Sequence, residues 1–261
     1  MKSIILSFFQ NRELIVEMAK RDLKMINKGA FLGYIWLILS PLIQTAAYVI
    51  IVSFVFRSHL GEGSEKTDYA LYVLGGMIPW QIITKSLATA PTQIRDRMEL
   101  VKQVIYPIET LPLTGLVVTS FGALVSLVIF LFLNIVCGKL TWGILLFPVP
   151  TVLLILLILG ISWIFSIVGI FFKDLREMVS IVLGLLVYLS PVVSSPEMVG
   201  GKMWKLILLN PLSHIVICFR DIYYLEFHQL SWIIFIMMAS VSFIVGSWVI
   251  NHTKILINQY I

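Results

Sequence analysis

Charge is scarce in this sequence. Only 13% of the 261 residues are charged and 59% are hydrophobic, whereas a soluble domain carries about 25% charged residues. Mean hydropathy is +0.98. That excludes a soluble domain and a disordered tail. Cysteine is nearly absent: two residues, Cys137 and Cys218, exclude a disulfide framework and read as two separate buried thiols. The four histidines, at 59, 214, 228 and 252, lack metal-ligand spacing, so no metal site is expected. No G-x-x-x-x-G-K-[ST] occurs, because Gly138-Lys139 and Gly201-Lys202 lack the upstream glycine and the following hydroxyl residue. The chain therefore does not bind ATP through a P-loop. H-E-x-x-H, C-x-x-C and G-x-S-x-G are also missing, so no catalytic residue is assigned. The +5 net charge is dispersed between apolar runs and forms no basic surface, which argues against a nucleic-acid partner.

What remains is an all-α polytopic membrane protein with little material outside the bilayer. A helix crossing a ~30 Å hydrocarbon core needs about 20 apolar residues. Six runs qualify. Ala30–Phe56 has 27 residues without a charge. Tyr69–Thr84 extends towards Ala90 if Lys85 snorkels. Thr110–Gly138 is the third. Leu140–Phe172 is uncharged for 33 residues, and Pro148 and Pro150 set the fourth span at about 150–172, since proline suits a first helical turn. Met178–Val193 and Trp232–Ile250 complete the set. Lys and Arg alternate between the loops: residues 1–29, 85–109, 173–177 and Lys254 hold 13, the opposite side 6. The positive-inside rule puts both termini in the cytoplasm. Ile4–Phe9 is too short for a signal-peptide core, and no internal repeat is evident.

Three segments are not spans. Within the cytoplasmic N-terminus (1–29), residues 11–28 read as an amphipathic helix. Leu14, Ile15, Met18, Ala19, Asp22 or Leu23, and Ile26 share one face, and Glu17 and Arg21 form an i,i+4 pair on the other. Such a helix lies in the membrane interface; an ordinary juxtamembrane segment fits the same residues. Residues 94–106 carry Arg95, Asp96, Arg97, Glu99 and Lys102 beside Leu100, Val101, Val104 and Ile105, ending at Pro107. That is a short cytoplasmic helix suited to a soluble partner, or a solvated loop. Residues 190–229 are the odd stretch. Two apolar runs, Met203–Leu209 and Ser213–Phe219, are split by Asn210-Pro211, and neither can cross a bilayer. Together they predict a helix-break-helix dipping in from outside, a gate or a pair of interfacial helices.

No Asp, Glu, Lys or Arg falls near a bilayer midplane, which argues against an ion-coupled carrier. Gln44 and Asn134 are the notable polar residues within spans, and interhelix hydrogen bonds are expected of them. Tyr34, Trp36, Tyr48 and Trp80 are amphipathic aromatics that can either fill the core or line a path, where their rings would stack on sugar faces.

Six short motifs occur in order: Leu32-Gly33-Tyr34-Ile35-Trp36 with Pro41, Gly76-Met77-Ile78-Pro79-Trp80, Val104-Ile105-Tyr106-Pro107, Phe171-Phe172-Lys173-Asp174-Leu175, Ser190-Pro191 and Asn210-Pro211-Leu212. On these motifs the chain, from about Lys20 to Arg220, resembles the membrane subunit of type-2 ABC transporters that export polysaccharides such as O-antigen, capsule and teichoic acid. O-antigen export is the nearest subgroup. The resemblance implies a homodimer of six-span subunits in the bacterial inner membrane, paired with two copies of a separate ATPase that holds ATP and Mg. The substrate it implies is a glycan on undecaprenyl diphosphate. It also assigns roles: an interface helix at the N-terminus; ATPase coupling by Arg95, Asp96, Arg97, Glu99, Lys102, Lys173 and Asp174; a glycan channel with Tyr34, Trp36, Tyr48 and Trp80; and a periplasmic gate over 194–229 involving Pro191, Asn210, Pro211 and Arg220. Relatives often show Arg-Tyr where this chain has Ile26-Asn27, so Lys24 and Lys28 would meet the lipid diphosphate here. Lys173 stands where the motif has Arg, keeping the charge and losing the bidentate fork. The alternatives are a type-2 permease for another lipid, drug or antibiotic, and a membrane-embedded glycan-modifying enzyme, for which His214 and His252 are the only candidates.

Overall fold

A computed structural model describes residues 2–26, 31–54, 66–98 and 107–260. Among these residues every regular element is a helix. We number the α-helices α1 (Lys2–Gln10), α2 (Arg12–Ile26), α3 (Trp36–Phe54), α4 (Lys66–Thr89), α5 (Leu111–Val136), α6 (Pro148–Phe171), α7 (Leu175–Leu186), α8 (Pro196–Leu209), α9 (Pro211–Tyr224) and α10 (Gln229–Tyr260). Short 3-10 turns sit at Ala90–Thr92, Arg95–Arg97, Ile108–Thr110 and Trp142–Leu146.

Proline punctuates this chain in the way the polypeptide allows. Pro112, Pro148, Pro196 and Pro211 sit in first turns, where the missing N–H has no partner to lose. Pro41 and Pro79 instead lie inside α3 and α4, so α4, which covers the expected second span, continues as one helix through Pro79 to Thr89. α4 presents Tyr69, Tyr72, Val73, Met77, Trp80, Ile83 and Leu87 to the core, all buried at helical spacing. α6 answers with Leu154, Leu157, Ile158 and Trp163, and α10 with Phe235, Ala239 and Phe243. Among the described residues the α6–α10 pair forms the most extensive helix packing.

Among the described residues three helices are long and apolar enough to cross a membrane on length and composition: Ile108–Val136, Trp142–Phe171 and Gln229–Lys254, with α8 and α9 as a further bent pair. The expected fifth span, Met178–Val193, is shorter. α7 has 12 residues, about 18 Å of helix against a ~30 Å core. Beyond Leu186 the chain turns: the Val187 carbonyl accepts from Ser190 N, and those of Leu189, Pro191, Val192 and Val193 go to side-chain donors, as described below.

The long helices run alternately between two ends. At one end lie α1, α2 and the 3-10 turns at 95–97 and 108–110. Ser7 Oγ donates to Glu109 Oε1 (3.1 Å), Phe8 stacks on Trp163, and Trp163 Nε1 donates to the Glu109 carbonyl (3.0 Å). The opposite end carries α8, α9 and the start of α10. There α8 and α9 meet at 110° across Asn210, as the two interrupted apolar runs predict.

Candidate functional site

Among the described residues the most heavily bonded polar cluster sits at the α8–α9 end and is built around Arg220. This residue lies on α9 and is buried, 6% exposed. A guanidinium cannot shed its charge, so burial requires acceptors. Its Nη2 donates to the carbonyls of Val192 (2.8 Å) and Tyr72 (3.0 Å). Nε reaches Tyr72 O at 3.2 Å, and Nη1 donates to Pro191 O. The guanidinium carbon lies 3.4 Å from the centre of the Tyr72 ring, a cation–π contact. The Tyr69 hydroxyl donates to the Val193 carbonyl, and that of Tyr72 to Ser194 O (3.2 Å). Three elements are thereby joined: the head of α4, the 190–195 turn after α7, and α9. Gly76 makes the room, because a Cβ there would stand 2.6 Å from Arg220 Nη2 and 3.1 Å from Val216 Cγ1.

The helix break is fixed just as locally. Asn210 caps α9, its Oδ1 accepting from Leu212 N (3.1 Å) while Nδ2 donates to Leu189 O (3.0 Å). Pro211 supplies the first turn. Ser213 Oγ donates back across the break to Ile207 O (2.7 Å). Next to Arg220, Asp221 is buried and turns the other way. It accepts from His228 N and Trp232 Nε1, both at 2.9 Å, and its Oδ1 lies 2.6 Å from His228 Nδ1. The carboxylate thus ties α9 to the first turn of α10. Leu225 closes α9 in the left-handed region at φ 57°, which swings residues 226–229 back over the helix end.

At the opposite end, Arg97 forms an ion pair with Asp22 of α2. Arg95 is partly buried and Asp96 exposed in the same 3-10 turn; Glu99 and Lys102 lie outside the described residues. The described part of the expected 94–106 helix is thus a 3-10 turn. Lys173 and Asp174 are exposed between α6 and α7. α2 buries only Ile15 and Ala19 and leaves Val16, Met25 and Ile26 exposed. Glu17 pairs with Lys20 (2.8 Å) rather than with the expected Arg21. That hydrogen bond and the ammonium charge hold the Glu17 carboxyl below its usual range. Lys24 is exposed, and Lys28 lies outside the described residues.

Of the expected channel aromatics, Trp36 is exposed on α3, while the side chains of Tyr34 and Tyr48 are outside the described residues. Trp80 is a correction. It is 5% exposed and packed within the subunit core, because it falls on the same face of α4 as Met77, Ile83 and Leu87. Asn134 makes the expected interhelix bond, accepting from the Tyr223 hydroxyl; Gln44 is exposed on α3. Cys137 and Cys218 are free thiols. His214 is buried with both ring nitrogens engaged, Nδ1 with Ser231 Oγ (3.0 Å) and Nε2 with Leu208 O (3.1 Å). His252 Nδ1 bonds the Trp248 carbonyl within its own helix. Sequence reasoning missed Tyr69, Tyr72 and Asp221, and took Gly76 only as part of a motif. The available signal was a Tyr pair at i,i+3 followed by Gly75-Gly76.

Comparison with known proteins adds an independent line. The family described as ABC-2 type transporter matches residues 13–224. The chain is 27% identical over 216 residues to an O-antigen export system permease protein, RfbA, of Klebsiella pneumoniae, covering 81% of this chain and 80% of that protein. It is 26% identical to the RfbA permease of Myxococcus xanthus over 224 residues, 85% of this chain and 84% of the other. It is also 26% identical to a polysialic acid transport protein, KpsM, of Escherichia coli, over 73% of each chain.

Proposed function

Because the chain belongs to the ABC-2 type transporter family, as a transporter membrane subunit rather than an enzyme, we propose that it forms the membrane path of an ATP-driven polysaccharide exporter. The observation that carries this reading is the likeness, along most of the chain, to O-antigen and polysialic acid exporters. O-antigen linked to undecaprenyl diphosphate is the cargo we favour. A separate ATPase subunit supplies ATP and Mg chemistry, in keeping with the missing P-loop.

The mechanism follows from the two ends. The α1–α2 end, with the Arg95–Arg97 turn and Lys173-Asp174, faces the cytoplasm and the ATPase. Val16, Met25 and Ile26 enter the membrane interface, and Lys24 and Lys28 meet the lipid diphosphate. The channel is made by two copies of the chain. α3 exposes Trp36, Ile38 and Leu42, and α7 exposes Met178, Ile181, Val182 and Leu185; these unpartnered apolar faces fit a homodimer with the path between them. ATP-driven closure pushes the 94–106 segments, and the Arg97–Asp22 pair carries that push to α2. The α8–α9 pair gates the outer end.

Deleting the gene in the source bacterium tests the function. Lipid-linked polymer should accumulate inside while the surface goes bare. A surface glycan normal in amount and altered only in decoration would overturn the exporter reading. The coupling role has its own test. Arg97→Glu should insert normally and cut export at least about ten-fold, with ATPase assembly measured by co-purification. Adding Asp22→Arg should restore export, since the pair is remade with reversed charge. Export unaffected by Arg97→Glu would remove the Arg97–Asp22 link from the mechanism.

A further inference from the structure

A cavity of about 360 Å³ opens beside the Arg220 cluster, between α8, α9 and the start of α10. It lies within the size range of small-molecule sites, about 300–1,000 Å³. Its floor is the fixed network described above: Arg220, Asp221 and His214 all line it with their hydrogen bonds already placed. Its walls are different. Trp204 of α8 and Tyr224 of α9 give aromatic faces, and Glu226, His228 and Gln229 give polar tips. Trp204 Nε1, the Glu226 carboxylate, His228 Nε2 and the Gln229 amide have no hydrogen-bond partner among the described residues.

The chemistry of the walls selects the ligand. Aromatic faces beside loose donors and acceptors match a pyranose, which has an apolar face and hydroxyls that both donate and accept. The free charge is negative. The Arg220 cation is consumed by three backbone carbonyls and the Tyr72 ring, so it is not offered to a phosphate. The unpaired Glu226 carboxylate repels one. An anionic phospholipid headgroup is therefore disfavoured, and a neutral sugar, or an amino sugar held by Glu226, is favoured.

The geometry points to a saccharide-binding subsite at the outer end of each subunit, in which Trp204 stacks on a ring of the passing glycan and Glu226 accepts from its hydroxyls. This inference rests on the reading of the chain as a polysaccharide exporter. Held between the two gate helices and the Arg220 cluster, a bound ring would keep the α8–α9 pair apart while the chain passes.

The test is photo-crosslinking in exporting cells that carry the full transporter. p-Benzoylphenylalanine in place of Trp204 should yield a glycan adduct of the subunit, seen by periodate staining. The same label in place of Val241, exposed on the far length of α10, should not. Adducts at both positions, at neither, or a phospholipid adduct at 204 found by mass spectrometry would overturn the subsite. In parallel, Trp204→Ala with Glu226→Gln should slow the appearance of pulse-labelled glycan at the surface at least about three-fold at equal subunit level. An unchanged rate would equally overturn it. The wild-type chain run in the same deletion strain separates the two claims. If it restores the surface glycan and position 204 gives no adduct, only the subsite falls; if it restores nothing, the exporter reading falls.

Discussion

Arg220→Ala is expected to abolish export. The arginine is the only bond between α9 and the carbonyls of Pro191 and Val192 among the interactions described, and those carbonyls lie in a turn with no helical N–H to receive them. A buried acceptor left without a donor costs about 1–3 kcal/mol, so two such groups amount to roughly 2–6 kcal/mol. The alanine also removes the cation that sits over the Tyr72 ring. Arg220→Lys retains the charge, yet one ammonium on a flexible stem cannot serve acceptors fixed on both α4 and the turn. It should fall between wild type and alanine. Gly76→Ala should resemble Arg220→Ala without touching the arginine, since its methyl would occupy the space of Nη2. Surface glycan in a complemented deletion strain reads the function, and thermal unfolding of the purified complex reads the clamp. Arg220→Ala that exports at the wild-type rate would show that export does not depend on the α4–α9 link.

The distribution of what was legible in the sequence follows from distance along the chain. The α8–α9 break was readable because its causes are adjacent: Pro211 cannot continue a helix, and Asn210 caps the next one. The start of α6 at Pro148 was readable for the same reason. The Arg220 clamp was not, because its acceptors at Tyr72 and Pro191 lie 148 and 29 residues away. No periodicity marks a residue whose partners are backbone carbonyls. The same fact bears on the short α7. Residues 187–193 are apolar enough to extend a helix, but the carbonyls of Leu189, Pro191, Val192 and Val193 are taken by Asn210, Arg220 and Tyr69. Pro191, flagged by the Ser190-Pro191 pair in the sequence, has no N–H to give the Val187 carbonyl and stops the helix, and the tertiary donors take the carbonyls beyond it. Trp80 fails differently. Composition marked it as amphipathic, whereas its role is set by which face of α4 it occupies, and the buried run from Tyr69 to Leu87 gives that face.

Gly160→Leu, and separately Gly246→Leu, should prevent the subunit from folding. These glycines set the approach of α6 to α10. A Cβ at Gly160 would stand 2.2 Å from the Ser242 carbonyl oxygen, and one at Gly246 would stand 2.2 Å from Gly160 O and 2.7 Å from Gly160 Cα. The obstructing atoms are backbone, so no rotamer change relieves the overlap and the helix axes must separate. Small residues at such crossings let backbones approach, which is the main source of helix association where lipid is as apolar as the side chains. Separation also breaks the Ser242 Oγ bond to the Leu157 carbonyl (2.8 Å) across the same crossing. Overpacking of an ordinary core costs about 1–3 kcal/mol, and a clash with rigid backbone on both helices should exceed that range. Gly184→Ala on α7 is the matched control. A Cβ there meets nothing within 4 Å, and replacing a helical glycine by alanine gains about 0.5–1 kcal/mol. Size-exclusion of a fluorescent fusion in detergent should show no monodisperse peak for either leucine variant and a normal one for Gly184→Ala. A leucine variant that retains the peak and the wild-type melting temperature would mean that α6 and α10 do not meet at these glycines.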